Sequence, residues 1–269
     1  MTNLNVGICG ASGRMGQMLV AAVLADPQCT LAAALDIARS LQLGKDAGAH
    51  LGKTTSVLIA DDIAAAVARC DVLIDFTRPE GTLTHLAACV AAKKQLIIGT
   101  TGFDAAGKAA IGEAAKHISV VFAPNMSIGV NVTYKLLEVA AKALSVGYDV
   151  EIVETHHRLK VDAPSGTALG MGEVIAKAMG REHDGVAAYA RHGHTGVRRD
   201  DAIGYAVIRG GDIVGDHTVM FIGQGERIEV SHKATSRDGY ATGALRACHF
   251  LRGKASGLFD MQDVLNLRG

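Results

Sequence analysis

The segment Glu154-Thr155-His156-His157-Arg158-Leu159-Lys160-Val161-Asp162-Ala163-Pro164-Ser165-Gly166-Thr167 holds the densest chemistry in this chain. It brings two imidazoles, a guanidinium and an ammonium into one short stretch. A histidine gives or takes a proton near neutral pH. Cations favour anions, carboxylates included, and so do the backbone amides at a helix start. These residue types support an anionic-substrate pocket with an acid/base residue in it. The plain alternative is a solvated basic loop that ends in an ordinary helix cap, since charge runs usually face water.

Two elements must flank such a pocket. Val150 to Val153 is an apolar run with strand character. Ala168-Leu169-Gly170-Met171-Gly172-Glu173-Val174-Ile175 begins a helix, with Ser165 or Thr167 placed to cap it through a side-chain oxygen. The chemistry therefore sits at a strand end and a helix start.

What precedes it in the chain argues for a ligand-binding protein. Leu4 to Cys9 is a buried-strand pattern, followed by Gly10-Ala11-Ser12-Gly13-Arg14-Met15-Gly16 and a helical pattern from Gln17 to Leu24. Glycines at this spacing let the backbone turn tightly and approach a pyrophosphate seated on the helix N-terminus. The next apolar run, Leu31 to Leu35, ends in Asp36. That places an acid ~20 residues past the glycines, where a ribose hydroxyl is bound. A tight strand–helix turn without a ligand is the alternative, and position, flanks and acid together favour a nicotinamide dinucleotide. Arg14 lies inside the turn and is placed to pair with a phosphate. Asp36 would repel a 2′-phosphate, so the preference leans to NADH over NADPH, and the nearby Arg39 softens that preference.

Strand and helix patterns then alternate. Residues 37 to 56 lack a clear period and read as a long loop or irregular insertion. Val57 to Ile59 is a short strand. A helix runs from Asp61 to Arg69 with Asp61 or Asp62 as its cap. Asp71 to Phe76 is a strand, and Leu83 to Ala92 a helix. Gln95 to Ile98 is a strand ending in Gly99-Thr100-Thr101-Gly102. Asp104 caps a helix reaching about Lys116. Ser119 to Phe122 is read as the last strand of the series, ending in Ala123-Pro124-Asn125-Met126. Repeated units of this kind predict an α/β fold, a Rossmann-like doubly wound parallel sheet whose ligand lies across the carboxyl ends of its strands. One long helix, Ser127 to Leu144, leads to a second region. There Ile203 to Arg209, Ile213 to Ile222 and Arg227 to His232 alternate as strands, separated by Gly-Gly and Gly-Gln-Gly turns. This second, α+β region carries a mixed or antiparallel sheet. Ser236 to Leu251 is again helical, and Leu258 to Leu267 is an apolar tail that packs back on the first domain. The expected division is 1–127 with 237–269 as the dinucleotide-binding domain and 128–236 as the second.

Composition narrows the function class. The chain has 269 residues, with 27 basic and 27 acidic, so no net charge attracts it to nucleic acid. Five cysteines are scattered with no C-x-x-C pair, which predicts buried thiols in a reducing compartment. No signal-peptide pattern opens the chain and no apolar run reaches the ~20 residues of a membrane span, so a cytoplasmic protein is expected. Metal is not expected. His192-Gly193-His194 and His156-His157 lack nearby Cys ligands, and no H-E-x-x-H pattern occurs.

The sequence resembles the 4-hydroxy-tetrahydrodipicolinate reductases (dihydrodipicolinate reductases) of bacterial lysine biosynthesis, in pieces spread almost end to end. These are Gly10 to Gly16, Asp75-Phe76-Thr77-Arg78-Pro79-Glu80, Gly99 to Phe103, Asn125 to Asn131, Glu154 to Thr167, Ala206 to His217 with its Arg209-Gly210-Gly211-Asp212 core, and Ser256 to Met261. Many dehydrogenases share the glycine turn. The block from His156-His157-Arg158 to Ser165-Gly166-Thr167 is far more specific. The resemblance implies reduction of a cyclic, conjugated imine dicarboxylate by NADH or NADPH, in the diaminopimelate route. It implies His156 as the acid/base residue, Lys160 as a proton donor, and His157, Gly166 and Thr167 as substrate contacts. Cofactor contacts would be Gly10, Ala11, Ser12, Gly13, Arg14, Met15, Asp36, Gly99, Thr100, Thr101, Ala123, Pro124, Asn125 and Met126. It also implies a homotetramer joined through the second domain's sheet. Two positions depart from the family pattern. Ile37 replaces an Arg that often follows the ribose acid, which counts against strong NADPH use. Leu159 stands where a third histidine is often found.

Hydride arriving at one end of a conjugated imine pushes electron density to the other end, which must be protonated. Arg158 either faces the substrate or forms a structural ion pair, and the structural role is favoured. With cofactor and substrate in different domains, closure about hinges near Met126–Gly129 and Ser236–Gly239 is expected. The rivals are another two-domain dehydrogenase, acting on an amino acid or a sugar, and a non-enzymatic dinucleotide sensor.

Overall fold

The computed structural model describes residues 3–268. Met1, Thr2 and Gly269, at the ends of the expected first domain, lie outside the described residues. The chain forms two compact units. One ends at Ile128 and resumes at Tyr240, and the other is Gly129–Gly239.

The first unit is built on a seven-stranded sheet. Its strands are β1 (Leu4–Cys9), β2 (Cys29–Leu35), β3 (Ile59–Ala60), β4 (Val72–Asp75), β5 (Gln95–Ile98), β6 (Ser119–Phe122) and, late in the chain, β12 (Gly257–Phe259). The spatial order is β12-β6-β5-β4-β1-β2-β3, and every neighbouring pair is parallel. Such a sheet is covered on both faces, so its strands are continuous apolar runs. On one face Ile8, Ile74, Ile97 and Val121 pack with Leu19, Val20 and Val23 of α1 (Arg14–Ala25) and with Ala244 and Cys248 of α8 (Asp238–Leu251). On the other, Leu73, Leu96, Ile98 and Val120 meet Val67 of α2 (Ile63–Arg69), Leu86 and Cys89 of α3 (Pro79–Ala92) and Ile111 of α4 (Ala105–Ala114). All five cysteines are free and buried in these layers.

The structure corrects the sequence reading at three places here. β6 is not the last strand, because the tail contributes β12 at the sheet edge beside it. Phe259 is followed by α9 (Met261–Val264), started by an Asp260–Asp263 capping box. α3 begins at Pro79, four residues before the expected start, since proline suits the first helical turn, where its missing N–H costs nothing. The strand expected over Val57 to Ile59 is β3, shifted to Ile59–Ala60. Asp62 and Asp104 cap α2 and α4, accepting from Ala65 N and Gly107 N.

In the second unit α5 (Ile128–Ala143) leads to β7 (Asp149–His156), α6 (Gly166–Ala178), α7 (His183–Val186), β8 (Ala187–Ala188), β9 (Ile203–Arg209), β10 (Gly215–Ile222) and β11 (Arg227–Ala234). The sheet order is β11-β10-β7-β9-β8. It is mixed: β7 runs parallel to β9 and antiparallel to β10. Strand alternation is strict in β7 and β10. Val150, Ile152, Val219 and Phe221 turn inward onto Leu137 and Ala141 of α5 and Met171 and Ile175 of α6. The opposite face is open: Ala206 and Ile208 are exposed, and Val153, Thr218 and Met220 half-buried. Among the described residues no helix is long and apolar enough to cross a membrane.

Candidate active site

β7 ends at His156, and the sheet register decides what surrounds it. Glu154 pairs with His217 on antiparallel β10, and His156 with Arg209 on parallel β9. The alternation that buries Ile152 also turns Glu154 and His156 to the covered face. Glu154 has no exposed surface, yet it is a carboxylate with four donors. His156 Nδ1 lies 2.6 Å from Oε2, Arg209 grips both oxygens at 2.8 Å, and Ser165 N donates at 2.9 Å. Burial alone would raise the Glu154 carboxyl. The hydrogen bonds from Arg209, His156 and Ser165 outweigh it and hold the group below the usual carboxylate range. Burial likewise pushes His156 down, against the pull of Glu154. A Cβ on Gly215 would stand 2.9 Å from His156 Nε2, so glycine at that position keeps room beside that nitrogen.

Ser165 caps α6, its Oγ accepting from Ala168 N at 3.2 Å and contacting His217 Nε2 at 3.0 Å. Of the two caps expected, the structure uses Ser165. Gly166 is exposed at the helix start, with nothing within 4 Å of where a side chain would begin, so a ligand can approach its backbone. Thr167 forms the next residue of that turn. The ring of His217 packs edge-on against His156 at 5.0 Å, and burial drives its pKa to about 4. His157 turns alongside the Gly210–Ile213 segment, its N donating to Ile213 O at 2.7 Å, and its buried Nδ1 has no partner among the described residues. Lys160 Nζ is held by both oxygens of Asp162 at 2.8 Å. Arg158 is exposed and makes no ion pair among the described residues, so the structural ion pair favoured for it is absent. The structure thus gathers His156, His157, Lys160, Gly166 and Thr167 in one unit. It adds three groups to which the sequence reading gave no role: Glu154, Arg209 and His217.

The first unit holds the other candidate residues at its strand ends. Gly10 turns at φ +69°, and a Cβ on Gly16 would lie 2.0 Å from Gly10 O, so only glycine lets α1 start this close to β1. Gly13 caps α1 with no side-chain bond, which leaves its first turn to an outside acceptor. Arg14 is exposed beside it, with Ala11 buried and Met15 half-buried. Asp36, at the end of β2, accepts from Ser12 N at 3.1 Å and from Ser12 Oγ, so its carboxylate lies against the glycine turn. An uncapped helix start beside a strand-end carboxylate fits a dinucleotide's pyrophosphate and ribose.

Gly99, Thr100 and Thr101 follow β5, and Ala123, Pro124, Asn125 and Met126 follow β6, on the same sheet edge. Thr100 is buried rather than presented. Its hydroxyl accepts from Thr82 Oγ1 at 2.9 Å and lies 3.3 Å from Asp75 Oδ1, and His85 Nδ1 lies 2.7 Å from the other Asp75 oxygen. Met126 is buried too, and Asn125 Oδ1 accepts from Ser127 N at 2.9 Å.

Residues 4–126 match the family model described as dihydrodipicolinate reductase, N-terminus, and residues 129–265 match dihydrodipicolinate reductase, C-terminus. A 4-hydroxy-tetrahydrodipicolinate reductase of Cupriavidus metallidurans is 63% identical over 265 residues, 98% of this chain and 100% of that one. One of Herminiimonas arsenicoxydans is 60% identical over 268 residues, 100% of each chain. Among solved structures, a dipicolinate-bound dihydrodipicolinate reductase from Paenisporosarcina sp. TG-14 superposes with a TM-score of 0.74 at 24% identity, covering 97% of this chain and 99% of that one. Both halves of the sequence are covered, and so is each of the two sheets that carry the candidate residues; the chain belongs to the dihydrodipicolinate reductase family.

Proposed function

We propose that this chain reduces 4-hydroxy-tetrahydrodipicolinate to tetrahydrodipicolinate with NAD(P)H, in the diaminopimelate route to lysine. The observation that carries the residue assignments is the His156 cluster. An imidazole with one nitrogen against a buried carboxylate, an ammonium, and an open helix start stand together in one unit. When bound, the reduced nicotinamide supplies the hydride. Gly10 to Met15 and Asp36 hold the dinucleotide, with Gly99 to Thr101 and Ala123 to Met126 along the same edge. The Gly166 and Thr167 turn, His157 and Lys160 take the two carboxylates of the substrate. His156 and Lys160 supply the proton that follows hydride.

Asp36 and the apolar Ile37 beside it favour NADH over NADPH. The unit roles follow: 1–127 with 237–269 binds the dinucleotide, and 128–236 binds substrate and assembles. The open face of the second sheet, with Val153, Ala206, Ile208 and Met220, is where a homotetramer would join. A small-molecule dicarboxylate is the partner, with no nucleic acid or membrane, and the cytoplasm is the place of action.

The test is loss of NADH and, separately, NADPH absorbance with freshly made aspartate semialdehyde–pyruvate condensation product. Oxidation with a higher kcat/KM for NADH is expected. Protein that binds NADH but oxidises neither cofactor would overturn the proposal.

A further inference from the structure

Arg209 has four hydrogen bonds and a place no other cation in this unit shares. Its NH1 donates to Glu154 Oε2 and to Ile208 O, both at 2.8 Å. Its NH2 donates to Glu154 Oε1 at 2.8 Å and to Asp162 O at 2.7 Å. Each of those acceptors leads to a different part of the candidate site. Glu154 receives His156 Nδ1 and the amide of Ser165, the cap of α6. Asp162 holds the Lys160 ammonium. The next residue, Gly210, donates its N–H to His156 O at 3.0 Å, so backbone and side chain grip the same segment. One planar guanidinium therefore spans the acid/base histidine, the lysine's partner and the helix start. A lysine, with a point charge, cannot reproduce that fork.

We propose that Arg209, acting through Glu154 and the Asp162 carbonyl, is the positioning residue that fixes the His156 tautomer and co-aligns His156, Lys160 and the α6 start. This rests on the active-site reading above. An ionised Glu154 only accepts, so the nitrogen facing it must carry hydrogen, which leaves Nε2 of neutral His156 bare. Nε2 is then the nitrogen that exchanges a proton with substrate. Arg209 also offsets part of the reason for His156 to stay charged, because it pairs with the carboxylate beside the ring. The groups that face His156 are Glu154 on its own strand, Lys160 with Asp162 in the following loop, Arg209 on β9, and His217 on β10 with His232 behind it. His217 is neutral at assay pH. Burial lowers His156, Glu154 raises it, and the cations Lys160 and Arg209 add to the lowering.

The test compares Arg209→Lys, Arg209→Met and Glu154→Gln with His156→Gln, each checked for retained NADH binding. Arg209→Lys is expected to lower kcat about 10-fold or more, the scale of part of a positioned proton transfer. His156 gives up its Nε2 proton to substrate, so its deprotonation sets the basic limb of the kcat/KM profile; Arg209→Met is expected to move that limb up and Glu154→Gln to move it down. Wild-type nitrogen-15 spectra of the His156 ring should show the proton on Nδ1 above the basic limb, where the ring is neutral. That measurement needs no variant and so stands even if Arg209→Met does not fold. A proton on Nε2 would overturn the proposal, as would Arg209 variants with wild-type kcat and an unmoved profile while His156→Gln is inactive. If His156→Gln itself turns over normally, the active-site reading fails, and this role for Arg209 falls with it.

Discussion

At the scale of single residues, hydrogen bonds keep Glu154 ionised although burial opposes its charge. Glu154 is buried and ionised because three neighbours donate to it, and His156 is buried with one nitrogen committed. Positioned proton donors contribute about 10²–10⁴-fold in rate. His156→Gln and Lys160→Ala are therefore each expected to lower kcat by about 10²-fold or more. NADH affinity should stay unchanged, since both residues lie in the unit without the glycine turn. Steady-state NADH oxidation together with a binding titration checks this, and full turnover in both variants would remove them from the mechanism. His156, His157 and Lys160 were legible in the sequence because two imidazoles and an ammonium in one loop are unusual. Glu154 was visible there too, but its role was not. A glutamate in a strand is ordinary until its four donors are known.

At the scale of elements, strand register does the selecting. β10 sets His217 opposite Glu154, and its ring is left buried, with Nδ1 unpartnered among the described residues. Its pKa in the folded chain is about 4, against 6.5 for the free group. Between those values the unfolded chain binds more protons, so stability falls as pH falls. The contribution of neutral His217 is complete above about pH 6.5 and declines toward pH 4. From pH 7 to pH 5 this amounts to about 2 kcal/mol. Urea unfolding at the two pH values should show a decline that is smaller by about that amount in His217→Gln. An identical decline in both proteins would mean that His217 titrates normally. Among the element boundaries, β1, β5, β6 and β9 were legible as apolar runs between turn residues. The start of α3 and the strand β12 were not. Proline suits a first turn as well as a break, and a three-residue strand has too short a pattern to stand out.

At the scale of the whole molecule, the chain divides into one unit whose sheet is covered on both faces and another whose sheet has one open face. Exposed Ile208 and half-buried Met220 and Val153 on that face suit a second copy of the chain. Ile208→Arg with Met220→Glu should yield a smaller species by light scattering while NADH binding persists. A particle of unchanged mass would overturn the proposal that this face joins copies of the chain.

The sequence by itself determined the fold class, the glycine turn with its strand-end acid, and the loop that carries the acid/base candidates. These rest on local physics: glycine where a backbone must approach closely, apolar runs where strands are covered, and cations clustered in one short segment. Only the tertiary structure decided which residues complete the site. Arg209 lies 55 residues from Glu154, and His217 lies 52 from Ser165. Hydrogen bonds at that separation exist because β7 is flanked by β9 on one side and β10 on the other, and neither pairing nor register is written in any local pattern.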